Sequence, residues 1–172
     1  DHSRCLLHIS CHRVVTAPTV TETFLHTGQI HGLPASTLTD NGLIYTTRFA
    51  AGKGGPNHFE HVIEALGVIQ KNGHPGHPQT QGKIERFHQT LKRWLHQHPA
   101  DTLQQLQTLL DTFHDAYNLR AHRSLHRRPP ADVYASQAKA EPTMKLLDRH
   151  WRVRYDTVDS GGKATLRWAG KL

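Results

Sequence analysis

Glu85 stands at the start of a stretch whose apolar residues, Ile84, Phe87, Leu91, Trp94 and Leu95, recur at helical spacing, with Lys83, Arg86, Lys92 and Arg93 around it. On the other face Glu85, His88, Gln89 and Lys92 fall on neighbouring turns, because positions three and four apart share a side of a helix. Pro75, Gly76 and Pro78 break any preceding element, and Thr80 is placed to accept from the first free backbone N–H groups. Taken alone, such an acid is a solvated side chain at a helix start, favoured there by the helix dipole. A second acid, Asp40, follows a short extended run, Ser36 to Thr39, within Thr39-Asp40-Asn41-Gly42. Carboxylate oxygens can hold hard divalent ions, and surrounding positive charge attracts polyanions.

The elements that must position these acids follow from the pattern. Residues 4–12 alternate Cys5, Leu7, Ile9 and Cys11 with Leu6, His8, Ser10 and His12, which predicts a strand. Thr16, Ala17 and Pro18 open a helix whose stripe, Val20, Phe24 and Leu25, runs to Gly28. The strand at Ser36 to Thr39 carries Asp40 at its carboxyl end, where open α/β sheets bind ligands. Residues 43–55, with Arg48, Lys53 and several glycines, read as a mobile loop. Phe59, Val62, Ile63 and Leu66 mark a helix over residues 56–66 that stops at Gly67, and residues 68–71 read as a short strand. After a break at residues 96–101, Leu103, Leu106, Leu110, Phe113 and Tyr117 define a further amphipathic helix. Pro129-Pro130 opens a last short one through Tyr134. From about Ala138 the pattern changes: Trp151, Val153 and Tyr155, a turn at residues 159–162, then Ala164, Leu166 and Trp168 predict a hairpin.

Three stretches stand in a telling order: Asp40-Asn41-Gly42, then the run from Pro78 to Phe87 (PQTQGKIERF), then Tyr117 to Leu125 (YNLRAHRSL) with Pro130-Ala131-Asp132-Val133-Tyr134. Together they resemble the catalytic core of the DDE integrases and transposases, in the branch similar to retroviral integrases and bacterial insertion-sequence transposases. The resemblance covers nearly the whole chain. It implies an α/β fold: a ribonuclease-H-like core lacking its first two strands, followed by helices and a C-terminal β-hairpin. Residues 1–137 would be a partial catalytic core, and residues 138–172 the start of a small β domain. The spacing from Asp40 to Glu85 is longer than the family's commonest, with the glycine-rich residues 50–55 as the expected insertion, which costs little in closure entropy.

The resemblance also implies the chemistry: metal-dependent phosphodiester cleavage and strand transfer in DNA transposition or integration, with Mg²⁺ or Mn²⁺ in a two-metal site. The family uses two aspartates and a glutamate. Asp40 matches the second aspartate and Glu85 the glutamate, as catalytic and metal-binding residues, whereas Asp1 is the wrong acid by position and the first aspartate is not among these residues. Gln79, Gln81, Lys83, Arg86, Lys92, Arg120 and Arg123 are the expected DNA contacts, Lys92 matching a family lysine that approaches DNA. The expected partners are transposon-end and target DNA and, in the intact protein, further copies of itself. The alternative is a catalytically inactive transposase remnant that keeps non-specific DNA binding. His74, His77 and His88 form neither an HExxH arrangement nor a Cys/His frame, which disfavours zinc catalysis.

Composition agrees with a polyanionic partner. Lys and Arg number 21 against 14 acids, a formal charge of +7, with 16 histidines able to add more below neutral pH. The pI is 9.7. No apolar run reaches the ~20 residues that span a bilayer and no signal-peptide pattern opens the chain, so it reads as cytoplasmic, and the resemblance implies association with a bacterial nucleoid. Cys5 and Cys11, six positions apart in an extended run, would be ~20 Å apart, too far for a disulfide, and read as buried small apolar residues. The chain starts at Asp1 and its single methionine is Met144, so it reads as part of a longer protein.

Overall fold

The computed structural model describes residues 2–47, 55–73 and 82–143. Its first helix, α1 (Ala17–His31), begins where Thr16 Oγ1 accepts from the Thr19 N–H, with Pro18 in the first turn. It passes through Gly28, the expected stop, and ends at Gly32, whose φ of +83° suits glycine. Gly28 serves another purpose. A Cβ there would meet Leu33 Cδ2 at 2.7 Å, so its bare backbone lets Leu33 fold back over the last turn.

Strand β1 (Ser36–Thr39) then pairs in parallel with β2 (Ile69–Asn72), in the register Ser36 with Ile69 through Thr39 with Asn72. Parallel strands need a crossover, and α2 (His58–Ala65) supplies it. Asn57 and Glu60 close a reciprocal capping box at its start. At its end Gly67, φ +70°, passes so close to the Thr143 carbonyl that a Cβ would stand 2.9 Å from that oxygen. Phe59, Ile63 and Val68 form the buried core, with Val20, Phe24, Tyr45 and Leu66 packed against it. Phe59 meets Phe24 and Tyr45 edge-on, at 5.7 and 5.9 Å between ring centres.

A second apolar cluster joins α3 (Gly82–Gln97) to α4 (Leu103–Leu119). Phe87 packs on Tyr117 and Phe113, and Trp94 packs on Phe113. The two helices therefore meet through rings at the expected apolar positions. Cover is incomplete, since Ile84 is 49 % exposed and no residue of α3 is fully buried. The short α5 (Pro130–Ala135) follows a 3₁₀ turn at Arg123–Leu125, and both are anchored by buried Leu125, Pro130 and Val133.

Residues 4–12 are not a strand. A strand is defined by a backbone ladder, and among the described residues four of this segment's backbone groups go instead to two amide side chains of α4, while the Leu7 carbonyl meets His31 Nε2 at 3.2 Å. Asn118 accepts from the Leu6 N–H at 2.9 Å and donates to the Leu6 carbonyl at 2.8 Å; Gln107 accepts from Cys11 N–H at 3.0 Å and donates to the Ile9 carbonyl at 3.2 Å. Gln107 and Asn118 lie three turns apart on one side of α4, roughly 16 Å at ~1.5 Å per residue. An extended run from Leu6 to Cys11 covers about the same length at ~3.3 Å per residue. Cys5 and Cys11 are free thiols, each partly exposed rather than buried, and burial pushes the Cys5 thiol up. The expected Thr80 cap, most of the glycine-rich loop and the hairpin from Trp151 to Trp168 lie outside the described residues.

Candidate functional site

Asp40 follows β1 directly and is exposed. Its Oδ1 accepts from the Gly42 N–H at 2.7 Å, a tight local turn that aims the carboxylate back over its own backbone. A side chain at Gly42 would oppose this, because its Cβ would stand 2.9 Å from that oxygen. The rest of the motif ties the turn to β2: Asn41 Nδ2 donates to the Gly73 carbonyl at 3.0 Å, and the Gly73 N–H donates to the Thr39 carbonyl at 3.2 Å. Burial, and then the negative charge of Asp40, hold the Tyr45 hydroxyl above its ordinary pKa.

Glu85 lies in the first turn of α3, exposed, with Lys83, Arg86 and Lys92 exposed on the same helix. β1 ends one residue before Asp40, and α3, which carries Glu85, is the next element after β2 in sequence. Among the described residues no hydrogen bond or ion pair joins the two acids, and no group of three His, Cys, Asp or Glu side chains comes together to hold a metal ion. The donors themselves fit a hard cation. Both are carboxylates open to solvent, and the Asp40 oxygen not bonded to Gly42 is available.

Of the expected DNA contacts, Lys83, Arg86, Lys92, Arg120 and Arg123 are all exposed, while Gln79 and Gln81 lie outside the described residues, as do His74 and His77 of the zinc reading. Arg120 has a structural task as well, its guanidinium lying over the Tyr117 ring at 4.6 Å. Arg123 and Arg127, with Ala121, line a cleft of about 570 Å³. The turn that presents them closes on itself through His122 N–H to the Arg128 carbonyl and Arg127 N–H to the His122 carbonyl, with His126 and Arg127 in left-handed conformation. Burial, then the nearby positive charges of Arg4 and Arg120, lower the His122 imidazole pKa.

One acid that the pattern does not single out is saturated. Glu60 accepts from Thr46 Oγ1 at 2.7 Å, from Thr47 N–H and Oγ1 at 3.2 Å each, and from Asn57 N–H at 2.8 Å. Burial by itself would raise this carboxyl; the donated hydrogen bonds outweigh it and bring the pKa below the ordinary carboxylate value. Glu60 therefore latches the loop after Asp40 to α2, with both of its oxygens engaged. The Asn57–Glu60 spacing is the signal that could have marked it.

Residues 66–130, from the end of α2 into α5, match the family model described as integrase core domain. That segment includes Glu85 and the Arg120–Arg128 turn and leaves Asp40 outside. Among solved structures the chain is similar to the catalytic core domain of BIV integrase, with a TM-score of 0.58 and 23% identity over 77% of this chain and 79% of that one. It is also similar to a chain of the simian T-cell lymphotropic virus intasome in complex with PP2A regulatory subunit B56 gamma, with a TM-score of 0.54 and 20% identity over 77% of this chain and 46% of that one. At these identities the likeness is one of fold. The uncharacterized protein K02A2.6 of Caenorhabditis elegans is 27% identical over 135 residues, which are 78% of this chain and 10% of that protein. The chain thus corresponds to about a tenth of the length of that relative. No helix among the described residues is long and apolar enough to cross a membrane.

Proposed function

We propose that this chain is the later part of a DDE-type polynucleotidyl transferase core, acting in DNA integration or transposition, in which Asp40 and Glu85 are two of the acids of a divalent-metal site. The observation that carries the reading is Asp40 directly after the carboxyl end of a strand paired in parallel with β2, in a fold like that of the integrase cores, with Glu85 in the first turn of the helix that comes next in sequence. When bound there, Mg²⁺ or Mn²⁺ would supply charge neutralisation at phosphorus and a more nucleophilic hydroxyl. Asp40 and Glu85 would hold it. Lys83, Arg86 and Lys92, on the same helix as Glu85, attract and orient the phosphodiester backbone, and the Arg120–Arg128 turn adds further phosphate contacts. The division into a partial core at residues 1–137 and a β domain from residue 138, the absence of the core's first two strands, DNA ends and target as partners, and self-association all belong to this proposal.

Two acids are fewer than the three that the family's site uses. The 172 residues by themselves are therefore expected not to transfer strands, and an upstream strand bearing one more acid is expected to restore activity. A labelled transposon-end duplex with Mn²⁺ tests this, comparing the chain with an upstream-extended form. Activity of the extended form that disappears in Glu85→Gln and Asp40→Asn supports the enzyme. An extended form that binds DNA and never cuts it supports the binding remnant instead.

A further inference from the structure

Thr39 and Asp40 are held to β2 by side chains that the acid motifs do not contain. Gln70 and Asn72 are two positions apart in β2, so their side chains leave the strand on one side. Both donate an amide N–H to Thr39 Oγ1, at 3.2 Å each. Gln70 donates also to the Tyr45 carbonyl at 2.8 Å, and Asn72 to the carbonyl of Asp40 itself at 3.5 Å. The residue before Asp40, the backbone of Asp40 and the end of the following turn are thereby fixed to one strand.

We infer that Gln70 and Asn72 are positioning residues for the Asp40 carboxylate, acting through the Thr39 hydroxyl they share. The inference rests on the reading of Asp40 as a ligand for a divalent cation. An exposed carboxylate at the end of a four-residue strand must otherwise be ordered by the ion itself, at a cost to affinity. Carboxamides suit the task. They donate without bringing positive charge, so they hold the turn and leave Asp40 its full charge for a cation. Because the chain continues from β2 into α3, the same contacts tie the frame of Asp40 to the strand that leads to Glu85. Outer hydrogen bonds of this kind orient metal ligands generally, and losing one costs ~10–100-fold in metal affinity.

The test uses the 172-residue chain, Mn²⁺ as the probe and paramagnetic broadening of the Gly42 amide resonance as the readout, with metal-free melting recorded for each variant. Thr39→Val removes the shared acceptor and keeps the shape and β propensity of the side chain; Thr39→Ser keeps the acceptor. Asn72→Leu removes one donor. Thr39→Val and Asn72→Leu are expected to need about tenfold more Mn²⁺ for half-broadening, with Thr39→Ser close to the unaltered chain and melting transitions preserved. Unchanged Mn²⁺ response in Thr39→Val and Asn72→Leu overturns the inference. So does a loss that Thr39→Ser shares or that tracks the loss of melting, since the contacts would then serve folding alone. Asp40→Asn separates the two levels: if it leaves the broadening intact, the metal reading of Asp40 fails, whatever the clamp does.

Discussion

Asp40 and Glu60 show how one residue type takes two roles by the number of donors around it. Among the described residues Asp40 accepts one hydrogen bond, from Gly42 to Oδ1, and none reaches Oδ2; Glu60 accepts four, with both of its oxygens engaged. The first was legible in the sequence because Asp-Asn-Gly after an extended run is local. The second was hidden because Thr46 and Thr47 lie more than a dozen positions before Glu60, and only folding brings them to it. A carboxyl whose folded pKa is depressed contributes stability above its unfolded value, and that contribution is lost as pH falls through the folded value. Glu60→Gln is accordingly expected to cost about 1 kcal/mol near neutrality, a charged hydrogen-bond value discounted for partial exposure. It should also flatten the fall of stability in acid melts below pH ~4.3. An equal acid slope in Glu60→Gln would assign that slope to other groups.

At the scale of elements, the helices were readable because their apolar residues recur at fixed spacing and their caps are local, whereas β1 and β2, with one apolar residue each, were marked only by the breaks around them. Thr16, Asn57 and Thr102 each accept from the backbone three residues on. The alternation in residues 4–12 reads equally well as a strand, yet strand pairing depends on a neighbour that periodicity does not reveal. Here the neighbour is α4, through Gln107 and Asn118. Asn118 is 6 % exposed and satisfies both backbone groups of Leu6, so Asn118→Leu leaves the partly buried Leu6 N–H without its partner and its C=O with only the long contact from the Cys5 thiol. A cost of ~2–3 kcal/mol in urea unfolding is expected, with faster amide exchange at Leu6. A change under ~0.5 kcal/mol would show that the segment is held by packing alone. His8, on this segment, has its pKa lowered first by burial and then by His26, His114 and His12, against the opposing charge of Asp111. Its contribution to stability is full above the ordinary imidazole value and declines as pH falls from there toward the lowered one.

Among the described residues, basic side chains lie exposed on two neighbouring stretches of the chain. Lys83, Arg86 and Lys92 lie on the helix of Glu85, and Arg120, Arg123 and Arg127 are exposed around the turn after α4. Six phosphate contacts would give log K against log salt a slope of about −5 on duplex DNA, and Lys83→Ala with Lys92→Ala should make it shallower by about 2. Affinity that ignores salt would remove these side chains from the interface. Fold class was legible because the motifs span most of the chain and come in order. What sequence could not supply is the relation between Asp40 and Glu85, which are 45 positions apart and carried by different elements.

That relation is the central claim, and Mn²⁺ titration followed on two amides tests it directly. If Asp40 and Glu85 share an ion, the Gly42 and Glu85 amide resonances broaden together at the same Mn²⁺ concentration, and either Asp40→Asn or Glu85→Gln weakens the effect at both. Broadening at one amide alone, or a substitution whose effect stays at its own residue, would contradict a shared site.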